Sequence, residues 1–165
     1  MVVVPSLRIV LFDPNPEFPY FIWDWAIRLV SNKTHVGIES ADGMIIDANL
    51  GGVVKREYCK CKYAHIYEIK NLTQEQVDGA MEWAKIHMGE KYSILTAIRA
   101  GIMRKLGISY TSDRIDSGWT CSEFVSGALR YGADIDIYPN VSLQNILPDD
   151  ILRWLEKKAI YHGSR

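Results

Sequence analysis

The sequence predicts an α+β fold in which helices pack on an antiparallel sheet and one helix opens on a cysteine. Three observations carry this. Short runs rich in β-branched residues, joined by Gly-bearing turns, occupy much of the first seventy positions. Helix-start chemistry recurs later, at Thr73, Thr120 and Pro148. The composition, 48% apolar and 24% charged over 165 residues, suits one domain spanning 1–165 with a real core. Helices that flank a run of hairpin-linked strands are α+β.

The elements follow in order. SLRIVLFD (6–13) reads as a strand or extended arm, closed by a DPNP turn. FPYFIWDWAIRLVSNK (18–33) has apolar residues at 18, 21, 22, 25 and 29, which is helical spacing. Its other face is also apolar, which fits a buried helix, a greasy lip over a site, or a lipid contact. THVGIES (34–40) and MIIDANL (44–50) form a β-hairpin across Ala41, Asp42 and Gly43. GGVV and YAHIYEIK (63–70) add strands. NLTQEQVDGAMEWAKIHMGE opens on a Thr73–Gln76 capping box and stops at Gly89. KYSILTAIRAGIMRKLG gives a second helix, and CSEFVSGALRYG a third that ends at Gly132. LPDDILRWLEKK starts a fourth, with Pro148 followed by Asp149 and Asp150. AIYHG closes the chain as a strand.

Bulk properties remove several function classes. A net charge of −1 gives no electrostatic footprint for nucleic acid. No window approaches the roughly 18–20 apolar residues of a membrane span, so no transmembrane segment is expected, and peripheral membrane contact stays open. MVVVPSLRIVLFDPNP lacks a basic start and is interrupted by Pro5, so no signal peptide is read and a cytoplasmic location is expected. Nothing in the chain separates a cellular from a phage or viral source. Three cysteines argue against a disulfide framework. Cys59, Cys61 and His65 fall short of the about four ligands of a structural zinc, so no metal or other cofactor is called for. KREYCKCK (55–62) is locally basic and reads as a solvated strand edge.

GWTCSEFV (118–125) holds the most informative cysteine. Thr120 and Glu123 have capping-box spacing, and Trp119 and Phe124 have that of a hydrophobic staple. Both rules make Thr120 the N-cap and Cys121 the first helical residue. Such a position sets a thiol beside unpaired backbone N–H groups and the positive end of the helix dipole, which favours the reactive thiolate. Those N–H groups, at Cys121 and Ser122, suit an oxyanion. Gly118 lets the incoming chain approach closely. The competing reading is a small apolar residue buried under a helix start.

A nucleophilic cysteine needs a base, itself oriented by a third group. His162 lies near the C-terminus, His87 sits in a helix's last turn, and His65 on a strand that could face either way. His35 opens a strand of small and β-branched residues. Gly37, two residues along on the same face, leaves room there for a chain or a substrate. A three-residue hairpin loop pairs Ser40 with Met44, sets His35 opposite Asn49, and places Asp47 diagonal to His35 on its side. A two-residue Asp-Gly loop would throw Asp47 and Asn49 to the other face. Asp47 sits among Ile45, Ile46 and Ala48, where a carboxylate needs a partner such as His35. The alternative is a solvated Asp on an exposed strand.

Together these pieces resemble the NlpC-type papain-fold cysteine hydrolases, and more closely their circularly permuted, YiiX-like branch. The matching stretches are THVGIE, MIIDANLGGVV, MGEKYS, TCSEFV and LPDDIL, in that order between about residues 34 and 152. The His-then-Cys order is also similar to that of the lecithin–retinol acyltransferase group. The resemblance implies a circularly permuted papain-like fold, with Cys121 as nucleophile, His35 as base and then acid, and Asp47 as orienter with Asn49 as runner-up. It implies that Tyr92 lines the site or helps polarise the carbonyl. Ser93 departs from the Asp that many members carry after that tyrosine. The expected activity is amidase, peptidase or lipid-type ester hydrolysis, acting on a peptide, a cell-wall amide or a lipid-like amide or ester. An acyltransferase using the same Cys/His pair, to which YFIWDWAIRLV would offer a lipid contact, and a non-catalytic binding module on the same fold are the alternatives.

Overall fold

The computed structural model of the chain describes residues 5–14, 31–58, 63–108 and 117–164. Most of the segment read as an apolar helix at 18–33, and Cys59 and Cys61, lie outside these residues. The strands are β1 (Leu7–Phe12), β2 (His35–Glu39), β3 (Ile45–Asn49), β4 (Gly52–Arg56), β5 (Ala64–Ile69) and β6 (Ile160–Ser164). They form one antiparallel sheet in the order β4-β3-β2-β1-β5-β6. The helices are α1 (Gln74–Ile86), α2 (Ile94–Lys105), α3 (Cys121–Gly127) and α4 (Pro148–Lys158). A π turn, Ala128–Gly132, prolongs α3 to the glycine read as its end.

Period-2 alternation sorts the sheet residues. Leu7, Ile9 and Leu11 of β1, Val36 and Ile38 of β2, and Ile46 and Ala48 of β3 enter the main core. The same core takes Ala80 and Ala84 from α1, Phe124, Val125 and Leu129 from α3 and its extension, and Ile151 and Leu155 from α4. A smaller cluster of Val10, Ile45, Ala64 and Ile66 forms separately. The second face of β1 is buried at Val10 while Arg8 on that face stays exposed, so the strand reads as an apolar run broken only near its start.

The β2–β3 hairpin closes on the three-residue loop. Ser40 N–H donates to the Met44 carbonyl at 2.7 Å, and Gly43 takes a positive φ of 77°. Ile38 then pairs with Ile46, and Glu39 with Ile45. Helix α1 starts at the expected Thr73–Gln76 box but stops at Ile86, short of Gly89. His87 ends it, with its ring nitrogen Nδ1 on the Trp83 carbonyl at 2.8 Å.

Trp119 and Phe124 both pack on Trp83 of α1, at ring separations of 5.1 and 5.6 Å. The pair read as a staple thus meets on a third ring from a neighbouring helix. Just before it, Gly118 admits the segment 91–93. Trp119 N–H donates to the Lys91 carbonyl at 2.9 Å, and Ser93 N–H to the Trp119 carbonyl at 3.0 Å. A Cβ on Gly118 would lie 2.8 Å from backbone atoms of Lys91, Tyr92 and Ser93. Backbone cannot step aside as a side chain can, so Gly118→Ala is expected to destabilise the fold by about 1–3 kcal/mol. Urea unfolding measures this, and an unchanged midpoint would show that the close approach is not required.

Candidate functional site

Helix α3 begins as its sequence dictates. Thr120 Oγ1 accepts the Glu123 N–H at 3.2 Å, and the Glu123 carboxylate accepts the Thr120 N–H at 3.4 Å. Cys121 is the first helical residue, reduced and 3% exposed. Ser122 anchors the helix: its hydroxyl donates to the Ile146 carbonyl at 2.6 Å, inside the protein. What Ser122 can offer a substrate is therefore its backbone N–H and not its hydroxyl.

His35 opens β2 at the end of the sheet, opposite Phe12, the last residue of β1. Its Nε2 lies 2.8 Å from Asp47 Oδ2, and the Cys121 sulfur is close enough to the ring to favour its protonated form. With Nε2 held by Asp47, Nδ1 is the nitrogen left for the thiol. The imidazole is about one-fifth exposed, at 21%, whereas the Asp47 side chain is fully buried.

Asp47 is enclosed by donors. Arg56 Nη2 donates to Oδ2 at 2.5 Å and Arg56 Nε to Oδ1 at 3.3 Å. Asn49 Nδ2 donates to Oδ1 at 2.9 Å. Asp47, not Asn49, therefore contacts the imidazole, and Asn49 braces Asp47 while its own Oδ1 accepts the Gly51 N–H at 2.8 Å. The room beside Gly37 is filled from within the sheet, not by a substrate: an added Cβ would meet Ile45 Cδ1 at 2.5 Å and Asp47 Cβ at 3.0 Å.

The electrostatics follow from these contacts. Burial disfavours the His35 imidazolium, but the Asp47 charge and hydrogen bond, with the Cys121 sulfur, outweigh it and raise the pKa to about 10. Burial would push the Asp47 carboxyl up, yet His35 and Arg56 hold it below the usual carboxylate range. Tyr92 lies near enough that burial and the charge of a Cys121 thiolate both raise its phenol. The bridge between Tyr92 and Trp119 places it there. Ser93 caps α2, accepting the Thr96 N–H at 3.1 Å, a task that suits Ser and Asp alike.

No family model and no curated protein matches the chain.

Sequence reasoning missed two residues that build the site. Arg56 lay in a stretch read as a solvated edge, and β4 is one of the sheet's two edge strands, yet Arg56 turns to Asp47. A tight Leu50–Gly51 turn would have exposed its role, since it pairs Asn49 with Gly52 and Asp47 with Val54, leaving Arg56 diagonal to Asp47 on one face. Asp149 read only as helix-start charge. Its carboxylate accepts the N–H groups of Asn32 and Lys33 at 2.8 and 2.9 Å, which clamps the chain leading into His35. The other histidines are engaged elsewhere: His65 with Asp13 and Tyr161, His87 with Trp83, and His162 with Glu68.

The network fixes a pH dependence. A raised His35 pKa contributes stability that is fully present below about 6.5 and lost as pH climbs through about 10. The lowered Asp47 pKa contributes stability present above about 4 and lost in acid. The stability advantage of the wild type over His35→Gln should be greatest near pH 6 and shrink by at least about 1 kcal/mol toward pH 10. Urea titrations across that range test it, and an advantage that is flat or grows with pH contradicts the assignment.

Proposed function

We propose that the chain is a cysteine hydrolase that works through a covalent acyl-enzyme at Cys121. The observation that carries this is a single imidazole, His35, hydrogen-bonded to a buried carboxylate and set close beside the sulfur at a helix start. The same observation supports a circularly permuted papain-like arrangement: the His35 strand precedes the Cys121 helix in the chain and packs against it.

In the proposed reaction the Cys121 thiolate attacks the carbonyl carbon of an amide or ester, and a C–S bond forms as the carbonyl π electrons move to oxygen. The cap on α3 is spent on the Glu123 N–H, so the N–H groups of Cys121 and Ser122 receive the oxyanion. Tyr92 lines the same place. The tetrahedral intermediate collapses, and the departing amine or alcohol takes its proton from the His35 imidazolium. His35 then accepts a proton from water as the water oxygen attacks the thioester, and the C–S bond breaks to release the acid. Asp47 holds the ring in orientation and stabilises its positive form throughout.

Three outcomes test the assignment on any amide or ester the protein turns over. Cys121→Ala and His35→Ala should each lower kcat by about 1,000-fold or more, and Asp47→Asn by about 100-fold or more, with Asn49→Ala milder. Retained thiol-dependent turnover in Cys121→Ala would refute the proposal. Because His35 keeps its proton until about pH 10, kcat/KM should fall on the alkaline side near that pH. Mass spectrometry of the quenched wild type should find the acyl group on Cys121.

A further inference from the structure

Away from Cys121, a second chain of hydrogen bonds joins a nucleophile to a carboxylate through an imidazole. It lies where β1, β5 and β6 meet. His65 alternates with Tyr67 and Ile69 along β5, on the face that enters the main core. Asp13, one residue past β1, accepts the His65 Nε2–H on Oδ2 at 2.5 Å and the Lys33 ammonium on Oδ1. Burial would raise the Asp13 carboxyl, yet Lys33 and His65 hold it below the usual range, so it stays charged. A carboxylate only accepts, so Nε2 carries the His65 proton and Nδ1 keeps its lone pair. The Tyr161 hydroxyl donates to that lone pair at 2.9 Å. The order is the one at the candidate site, where Asp47 holds Nε2 of His35 and leaves Nδ1 to the Cys121 sulfur.

The strand pairing bends to make this geometry. Tyr67 pairs with Tyr161, and regular pairing would then set His65 opposite Gly163. His65 meets Ser164 instead, so β6 bulges between the two pairings. Bulges of this kind re-aim side chains at sheet edges. The Tyr161 ring is held by two neighbours, His65 at 5.9 Å and Tyr67 at 5.1 Å between ring centres. Yet Tyr161 is 49% exposed, on an edge strand. The phenol is therefore fixed against a base and reachable from solvent at once.

We propose that Tyr161 is a covalent modification site, a nucleophilic phenol with His65 as its base, that takes the acyl group of an activated acyl donor. Tyr161 Oη attacks the acyl carbon, and its proton passes to His65 Nδ1 as the O–C bond forms. The bond to the leaving group then breaks, and that group takes the proton from Nδ1. Asp13 holds the ring and stabilises its cationic form between the two transfers. The product is an aryl ester on β6. This site shares no residue with the proposed hydrolase and does not rest on it.

Acetylation of the folded full chain by N-acetylimidazole, with adducts located by peptide mass spectrometry, tests the proposal. Tyr131 is the internal reference. It is more exposed, at 64%, and no imidazole hydrogen-bonds it among the described residues. Tyr161 should react about tenfold faster than Tyr131 or more. His65→Gln should lower the Tyr161 rate about tenfold, and Asp13→Asn about threefold or more, with Tyr131 unchanged. Loosened packing cannot mimic this, because a freed β6 would expose the phenol further and hold or raise its rate. Cys121→Ala should label at Tyr161 like the wild type, which separates this site from the hydrolase chemistry. Equal rates at Tyr161 and Tyr131, or a His65→Gln rate that matches the wild type, overturns the proposal.

Discussion

A carboxylate sealed from water sets the terms for the site. Removing an ionised group from solvent costs several kcal/mol even after relaxation, unless its lone pairs find donors. Asp47 finds them in His35, Asn49 and both faces of the Arg56 fork. The donors sit on three adjacent strands, β2, β3 and β4, so the charge is satisfied only when all three are in register. A slip of one residue in β3 would send Asp47 toward the main core, where Ile46 and Ala48 now pack, and bring an aliphatic side chain to His35. Apolar pattern and charge pairing therefore specify the same register independently.

The sulfur is held by a different set of constraints. Thr120 and Glu123 fix where α3 begins, Ser122 ties its first turn to Ile146, and Phe124 and Val125 bury its inner face. The helix packs on β2 and β3, so the imidazole and the thiol approach from two layers sharing one core. Asp149 adds a link from α4 to the lead-in of β2 through the N–H groups of Asn32 and Lys33. Each catalytic candidate is thus located by backbone hydrogen bonds on regular elements, which is how a site keeps its geometry without a ligand.

What was legible in the sequence was local. The capping boxes at Thr73 and Thr120, Pro148 at a helix start and the three-residue hairpin loop each involve residues within a few positions of one another, and each forms as its letters indicate. The hairpin set His35 and Asp47 on one face only for the three-residue loop, and choosing that over a two-residue Asp-Gly loop needed the structure. Their meeting with Cys121 needed the packing of α3 on the sheet, which no local rule supplies. Arg56 was hidden because its partner lies across a second strand pairing, and a basic edge strand reads the same whether its arginine is solvated or inward-paired. The outward turn of the bulky aliphatic residues of α2 was hidden because periodicity finds an apolar face without saying whether that face turns in or out.

The segment 91–93 joins these two parts of the molecule. It pairs with Trp119 just ahead of the cysteine and leads, through the Ser93 cap, straight into α2. Gly118 permits the contact by lacking the one carbon that would separate the chains. Tyr92 is therefore fixed on one side by the start of α3 and on the other by the start of α2. The starts of α2 and α3 are thus held to one another across residues 91–93, directly beside Cys121.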